Sequence, residues 1–376
     1  LPTLSGFQGG DLRGIQQRLD YLLDLGINAI YLNPIFLSPA NHRYNTSDYY
    51  TIDPRLGGFQ DFNALINAAH ARGIRIVLDG VFNHCSRGFF AFTDLLENGS
   101  ESAYLNWFHV MKFPLNAYQP GKAGQYATWW GYKSMPKLNM DNPAVRRYIL
   151  DVARYWIEQG ADGWRLDVPN EIDDDAFWAE FRQVVKSADP EACLIGEIWT
   201  ADARWVGEEH FDSLMNYPLR AAVLGLLMTP GTAHSGTQFA PLSINDFAHQ
   251  LENLLKLYPR DNAYSMLNLL GSHDTERLLT LLWDDLDKLK LAYAILYAYP
   301  GAPCMYYGDE IGLTGGRDPA CRAAFPWGPE SWNSDLRAWI QKLIALRKRL
   351  VPLRRGDFQI GRASCREECR SRWSPY

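Results

Sequence analysis

No stretch of this 376-residue chain approaches the ~20 consecutive apolar residues that a membrane-spanning helix needs, so no membrane partner is expected. Basic residues are in deficit: 37 Lys and Arg face 43 Asp and Glu, for a net charge of −6. Polyanion binding rests on a basic footprint. Nucleic acid is therefore excluded as a partner, and a neutral or weakly charged ligand is expected. Cysteine is sparse, at positions 85, 193, 304, 321, 365 and 369, with no Cys-x-x-Cys pair and no pairing framework of a small secreted domain. Cys193 and Cys304 lie in apolar, strand-like runs and read as core. Metal-ligand spacings are missing as well. There is no His-x-His or His-Glu-x-x-His, and Asp173-Asp174-Asp175 lacks the spacing of a calcium loop and reads instead as the first turn of a helix. The chain opens Leu1-Pro2-Thr3-Leu4 without a basic-then-apolar leader pattern. We read this as a processed or truncated start and expect a cytoplasmic location.

Aromatic residues, by contrast, reach 13%, with 13 Trp and 20 Tyr. Flat amphipathic rings suit ligands that have one apolar face and a hydroxylated edge. Amphipathic helices recur: Leu12, Ile15, Leu19, Leu22 and Leu23 mark one ending before Gly26, and Phe62, Leu65, Ile66 and Ala69 another ending at Gly73. A third opens with Asn142 as N-cap and Pro143 at the first helical position, then shows Val145, Ile149, Val152 and Trp156. Later helices fit 174–186, 245–257 and 335–350. Between them lie seven β-prone runs, at 27–32, 74–78, 163–168, 192–198, 211–216, 264–270 and 302–307. Alternation of buried strands with helices predicts an α/β fold, a TIM (β/α)8-type barrel lacking its first strand. The expected division is barrel at 1–84, an inserted subdomain at 85–140 after the third barrel strand, barrel again at 141–352, and a non-native or disordered tail at 353–376. An open barrel leaves two strand edges unpaired, which predicts low stability or self-association.

Three acids, Asp167, Glu197 and Asp274, each sit where an apolar run gives way to polar residues. Taken singly, each reads as a helix cap or a loop residue. On a parallel barrel, however, strand ends converge on one face, and two converging carboxylates are the minimal machinery for cutting a glycosidic bond.

The strings Asp79-Gly-Val-Phe-Asn83-His84, Gly163-Trp-Arg165-Leu-Asp167-Val, Gly196-Glu197-Ile-Trp199 and Ser272-His273-Asp274 occur in this order. In them the chain resembles the α-amylase family of glycoside hydrolases, family 13. Met135-Pro-Lys-Leu-Asn139, Val168-Pro-Asn-Glu171, His42-Arg-Tyr44-Asn-Thr-Ser-Asp48-Tyr49 and Gly315-Gly-Arg-Asp318-Pro-Ala-Cys321-Arg322 resemble the neopullulanase, cyclomaltodextrinase and maltogenic amylase subgroup. Pro169 stands where Ala is usual and Thr200 where His often follows, which leaves linkage and acceptor preference open.

The resemblance implies hydrolysis of α-1,4, and also α-1,6, bonds in maltodextrins, cyclodextrins or pullulan, with retention of configuration and some transglycosylation. It implies Asp167 as nucleophile, Glu197 as general acid and base, and Asp274 as the carboxylate that binds sugar hydroxyls. Arg165, two residues before Asp167 and so on the same strand face, would hold it ionised. Asp79 would buttress Arg165, His84 and His273 would bind hydroxyls, and Tyr44 would stack beneath the sugar. Trp199 would help Glu197 keep its proton, and Glu171 would shape the aglycone side. No cofactor is required. Relatives carry a structural calcium near Gly9-Gly10-Asp11 whose other ligands come from a loop expected to precede residue 1. Two rivals remain: a non-catalytic relative that binds carbohydrate or acts as a scaffold, and a Schiff-base aldolase, which would need a strand-end Lys that none of the runs supplies.

Overall fold

Strands form where the β-prone runs lie. The structure, a computed structural model, describes residues 6–228 and 239–358. In chain order the strands are β1 (Ala29–Tyr31), β2 (Phe36–Leu37), β3 (Asp48–Ile52), β4 (Arg75–Gly80), β5 (Gly163–Leu166), β6 (Cys193–Gly196), β7 (Ser213–Leu214), β8 (Leu267–Leu269) and β9 (Ala302–Cys304). Parallel pairing runs β1-β4-β5-β6-β7, and β8 pairs in parallel with β9. A parallel bridge from Met215 to Leu267 joins the two groups. Every one of the seven expected runs is therefore a strand of one curled parallel sheet, the barrel architecture predicted. No ladder joins β9 to β1 among the described residues.

Alternation sorts the side chains. Val77, Ile195, Met215, Tyr217 and Leu269 cluster together, while Ile76, Leu78, Trp164, Leu166 and Leu194 belong to the large core shared with the helices. Gly163 opens β5 because a Cβ there would lie 2.3 Å from the Cys193 carbonyl oxygen. The helix Pro143–Glu158 is capped as expected by the Asn142 side chain, which accepts from the Ala144 N–H. It buries Trp156 completely, with the indole N–H donating to the Tyr49 carbonyl at 2.8 Å. Burial of such a side chain contributes on the order of 3 kcal/mol.

Across the gap between β9 and β1 the outer helices still meet. Leu25 packs in one cluster with Leu336, Ile340 and Ile344 of the helix Ser334–Arg349, and Arg337 pairs with Asp24 at 2.7 Å. The expected first helix is split into Leu12–Gln17 and Leu19–Leu25, because Arg18 leaves helical geometry at φ −110°, ψ 8°.

The segment 85–140 holds the helix Phe90–Asn98 and isolated bridges Phe108–Leu138, Val110–Tyr126 and Thr128–Pro136. Phe89, Phe92, Phe108 and Tyr126 are buried in the same cluster as the barrel core, whereas Trp130 and Tyr132 are exposed. Of the expected tail, Phe358 packs edge-on against Tyr299, and residues 359–376 lie outside the described residues. No helix among the described residues is long and apolar enough to cross a membrane.

Candidate active site

Strand register assembles the site. Asp79 on β4 is the direct partner of Arg165 on β5, so their side chains emerge side by side on the inner face. The ladder continues past both strands: the Asp167 N–H donates to the Gly80 carbonyl and the Glu197 N–H to the Leu166 carbonyl, each at 3.0 Å. Residues two apart share a face, so Asp167 follows Arg165 and Glu197 follows Ile195 toward the same space. Asp274 reaches it from the turn after β8, with its N–H donating to Ser272 Oγ at 3.2 Å.

The fully buried Arg165 guanidinium holds these acids together. Its Nη1 donates to Asp79 Oδ1 and Oδ2 at 2.9 and 3.0 Å and to Asp167 Oδ1 at 3.1 Å. Nη2 lies 2.8 Å from Glu197 Oε2, close enough for an ion pair but poorly aligned for a hydrogen bond. Tyr44 extends the cluster. Its hydroxyl donates to Asp79 Oδ2 at 2.7 Å and lies 2.6 Å from His273 Nε2, while the two rings stack with centroids 5.3 Å apart. The same Nε2 is 3.0 Å from Asp274 Oδ2. An unbroken chain of contacts thus runs from Glu197 through Arg165, Asp79, Tyr44 and His273 to Asp274.

Charge is out of balance here, because one guanidinium serves three carboxylates. Burial pushes the Asp167 carboxyl well above the usual range, the negative charge of Glu197 adds to this, and Arg165 opposes it. Glu197 is raised by burial, opposed by Arg165 and reinforced by Asp274. Asp79 is raised by burial against the pull of Arg165. A buried carboxyl beside another's negative charge takes up a proton more readily than it would alone. This corrects the expectation that Arg165 by itself keeps Asp167 ionised, since the same cation is shared. For Asp274 burial also pushes upward, but the hydrogen bond and charge of His273 together with the charges of Arg165 and Arg322 outweigh it and hold the carboxyl below its ordinary value.

Trp199 stands over Glu197, with its indole N–H donating to Oε1 at 3.1 Å and its ring stacked on Tyr217 at a centroid distance of 3.8 Å. His84 joins at the edge. Burial lowers its pKa to about 4, so it is neutral near pH 7, and its Nε2 contacts the Tyr44 carbonyl at 2.9 Å while Nδ1 faces Asn83 Nδ2 at 3.2 Å. Both ring nitrogens expected to serve a sugar hydroxyl therefore have protein partners. Glu171 is not brought into the cluster. It ends a short 3-10 turn, Pro169–Glu171, and Lys137 Nζ lies 2.7 Å from its carbonyl and 3.6 Å from Oε2.

Sequence reasoning gave no role to four residues found here. Tyr31 lies 3.4 Å from His273 Nδ1, Tyr217 supports Trp199, Arg322 donates to the His273 carbonyl at 3.0 Å, and the Val168 N–H donates to Glu197 Oε2 at 3.2 Å. The implied calcium is not assembled by the described residues. Asp11 Oδ1 is engaged as the cap of Leu12–Gln17, accepting from the Gly14 N–H, and no group of three His, Cys, Asp or Glu side chains gathers in metal-binding fashion among them.

The family description "Alpha amylase, catalytic domain" matches residues 4–348. The chain is 47% identical over 357 residues to a cyclomaltodextrinase of Geobacillus thermopakistaniensis (strain MAS1), covering 95% of this chain and 58% of that protein. It is 44% identical over 356 residues to neopullulanase 2 of Thermoactinomyces vulgaris, covering 95% of this chain and 59% of that protein. The chain thus spans just under three fifths of the length of these relatives. Among solved structures, the debranching enzyme of Nostoc punctiforme superposes with a TM-score of 0.89 at 45% identity, covering 96% of this chain and 75% of that one. With a matching catalytic domain, a barrel of the same form and relatives at this level of identity, the chain belongs to the α-amylase family of glycoside hydrolases.

Proposed function

We propose that the chain is the catalytic part of an α-glucan hydrolase that cleaves α-1,4, and also α-1,6, glucosidic bonds of maltodextrins, cyclodextrins or pullulan with retention of configuration. The observation that carries this reading is the single Arg165 guanidinium in contact with Asp79, Asp167 and Glu197 and linked through Tyr44 and His273 to Asp274. A retaining mechanism needs one carboxylate charged and its partner protonated, with the two about 5–5.5 Å apart. With one guanidinium shared among three buried acids the cluster favours taking up a proton, and the proposal places that proton on Glu197 and the charge on Asp167.

In the first step a carboxylate oxygen of Asp167 attacks the anomeric carbon. The bond to the glycosidic oxygen breaks, and Glu197 transfers its proton to that oxygen as the aglycone departs. In the second, Glu197, now ionised, takes a proton from water; the resulting oxygen displaces Asp167 and the original configuration returns. A sugar hydroxyl in place of water gives transglycosylation. Asp274, held ionised beside His273, binds hydroxyls of the sugar being distorted, and Tyr44 offers its ring beneath it. His84 takes part only by exchanging its bond to the Tyr44 carbonyl, and Glu171 belongs at the aglycone side.

No cofactor enters this scheme. The described cysteines, at positions 85, 193, 304 and 321, are free thiols, in keeping with the cytoplasmic location we propose. Association between copies is part of the same proposal, since no ladder joins β1 to β9 among the described residues.

Separate incubations with cyclodextrin, pullulan and starch, followed by product identification, test the substrate class. Rapid cyclodextrin opening with little attack on starch is expected. The reverse order moves the chain toward an ordinary starch-cleaving enzyme, and no reaction with any of them removes the reading.

A further inference from the structure

Immediately after Asp167 the backbone takes a disfavoured conformation. Val168 holds φ 37°, ψ 51°, a left-handed geometry that β-branched residues avoid, and the following Pro169 further favours extended backbone at this position. Outliers of this kind persist only where the surroundings over-determine them. Here they do: the Asp167 N–H is fixed on the Gly80 carbonyl at 3.0 Å, and the Glu171 N–H on the Val168 carbonyl at 3.0 Å. Lys137 Nζ in turn pins the Glu171 carbonyl at 2.7 Å. What this geometry delivers is the Val168 N–H, donated to Glu197 Oε2 at 3.2 Å.

We propose that the left-handed Val168–Pro169 turn is a positioning device for Glu197, its N–H reserving Oε2 as the oxygen that carries negative charge and leaving Oε1, under Trp199, as the oxygen that carries the proton. The proposal rests on the reading of Glu197 as acid and base. Oε2 faces Val168 N–H and Arg165 Nη2, whereas among the described residues Oε1 has only the Trp199 indole N–H. Oε2 already accepts from the Val168 N–H and lies 2.8 Å from the Arg165 charge, so negative charge is favoured there and the proton is carried on Oε1. The other ionisable groups acting on Glu197 are Arg165, Asp79, Asp167, Asp274 and Tyr217. All of them stay in place when residue 168 alone is altered. Val168 is thus a positioning residue, acting through its backbone and not through its side chain.

The test removes the donor and keeps the side chain, by replacing Val168 with α-hydroxyisovaleric acid so that the amide becomes an ester. Without the N–H, the ionised form of Glu197 is less favoured and its titration, followed by carboxyl 13C NMR, is expected to move up by about one pH unit. The alkaline limb of kcat/KM on cyclodextrin should move up equally, because activity falls there as the acid loses its proton. Val168→Gly keeps the N–H and tolerates the left-handed backbone, so its Glu197 titration should stay within about 0.3 units of the unaltered chain. In the unaltered chain, which avoids any folding defect, the Val168 amide proton shift should follow the Glu197 titration. An unmoved Glu197 titration in the ester variant, an equal shift in Val168→Gly, or an amide shift insensitive to Glu197 overturns the proposal. A moved titration in a protein without turnover upholds the contact and removes the hydrolase reading instead. An active enzyme with an unmoved titration leaves that reading intact and removes only the positioning role.

Discussion

The two ends of the barrel strands treat carboxylates in opposite ways. At the amino-terminal end Asp162 accepts from Arg75 at 2.6 Å, from the Ile76 N–H at 2.7 Å and sits 2.8 Å from His70 Nε2. Asp212 repeats the device one pair of strands further on, with Arg182 at 2.7 Å, Lys186 at 2.8 Å and the Leu194 N–H at 2.9 Å. Each acid there has two cationic or cation-forming partners and ties a strand to the helix before it. At the carboxy-terminal end three acids share Arg165. One end uses charge to hold the sheet together, and the other leaves it in excess, ready for protonation and for bond making. This division is the one barrel enzymes make between stability and chemistry.

The largest expected effect breaks only the upper end. Asp167→Asn should lower kcat by roughly three or more orders of magnitude while leaving sugar binding largely intact, measured by steady-state kinetics and calorimetry with cyclodextrin. Unchanged turnover removes Asp167 as nucleophile. Next, Arg165→Met strands buried carboxylates without their cation and should destabilise the fold by about 3–5 kcal/mol in urea titrations. A loss below about 1 kcal/mol would mean that the acids find other partners.

At the lower end, Asp212→Asn should cost about 1.5–3 kcal/mol of stability yet leave kcat per folded molecule unchanged. The two ends must also differ in the sign of their pH dependence. Burial pushes Asp212 up, but Lys186, Arg182 and the Leu194 N–H outweigh it and its folded value is lowered. Its contribution is present above the ordinary carboxylate value and is lost as pH falls through the folded one. Asp167 is raised, so its contribution is fully present below the ordinary value and is lost as pH rises through the folded one. Melting temperature against pH should therefore lose part of its acid-side fall in Asp212→Asn and part of its alkaline-side fall in Asp167→Asn. The smallest effect belongs to the gap between β9 and β1. Asp24→Ala removes an exposed pair with Arg337 and should change stability by less than about 1 kcal/mol.

Much of this was legible in the chain itself, for physical reasons. Central strands of a parallel barrel are apolar runs between amphipathic helices, and runs such as 74–78 and 192–198 could be read directly. The helices Tyr217–Leu227 and Leu286–Ala298 escaped because they are apolar over much of their circumference and show no single stripe. The short antiparallel pair β2–β3 has too few residues to set up an alternation. In the site, Arg165 and Asp167 declare their common face by spacing alone. Tyr31 and Tyr217 do not, since a tyrosine beside a strand looks like any core aromatic. The Asp167 proton balance could not be read either: adjacency reveals the neighbouring cation, whereas the competing carboxylates arrive from distant strands. The Val168 donor was hidden because a backbone N–H has no sequence signature.

The account turns on Asp167 and Glu197 working at the same anomeric carbon. Incubation with a fluorosugar glycosyl fluoride that forms the glycosyl ester quickly and releases it slowly, followed by peptide mass mapping, tests this most directly. The predicted result is one sugar on the peptide that carries Asp167, abolished by Asp167→Asn and formed more slowly by an oxygen-leaving-group analogue in Glu197→Gln. A sugar on any other residue, or an active enzyme whose first product has inverted configuration and which never forms an ester, would contradict it.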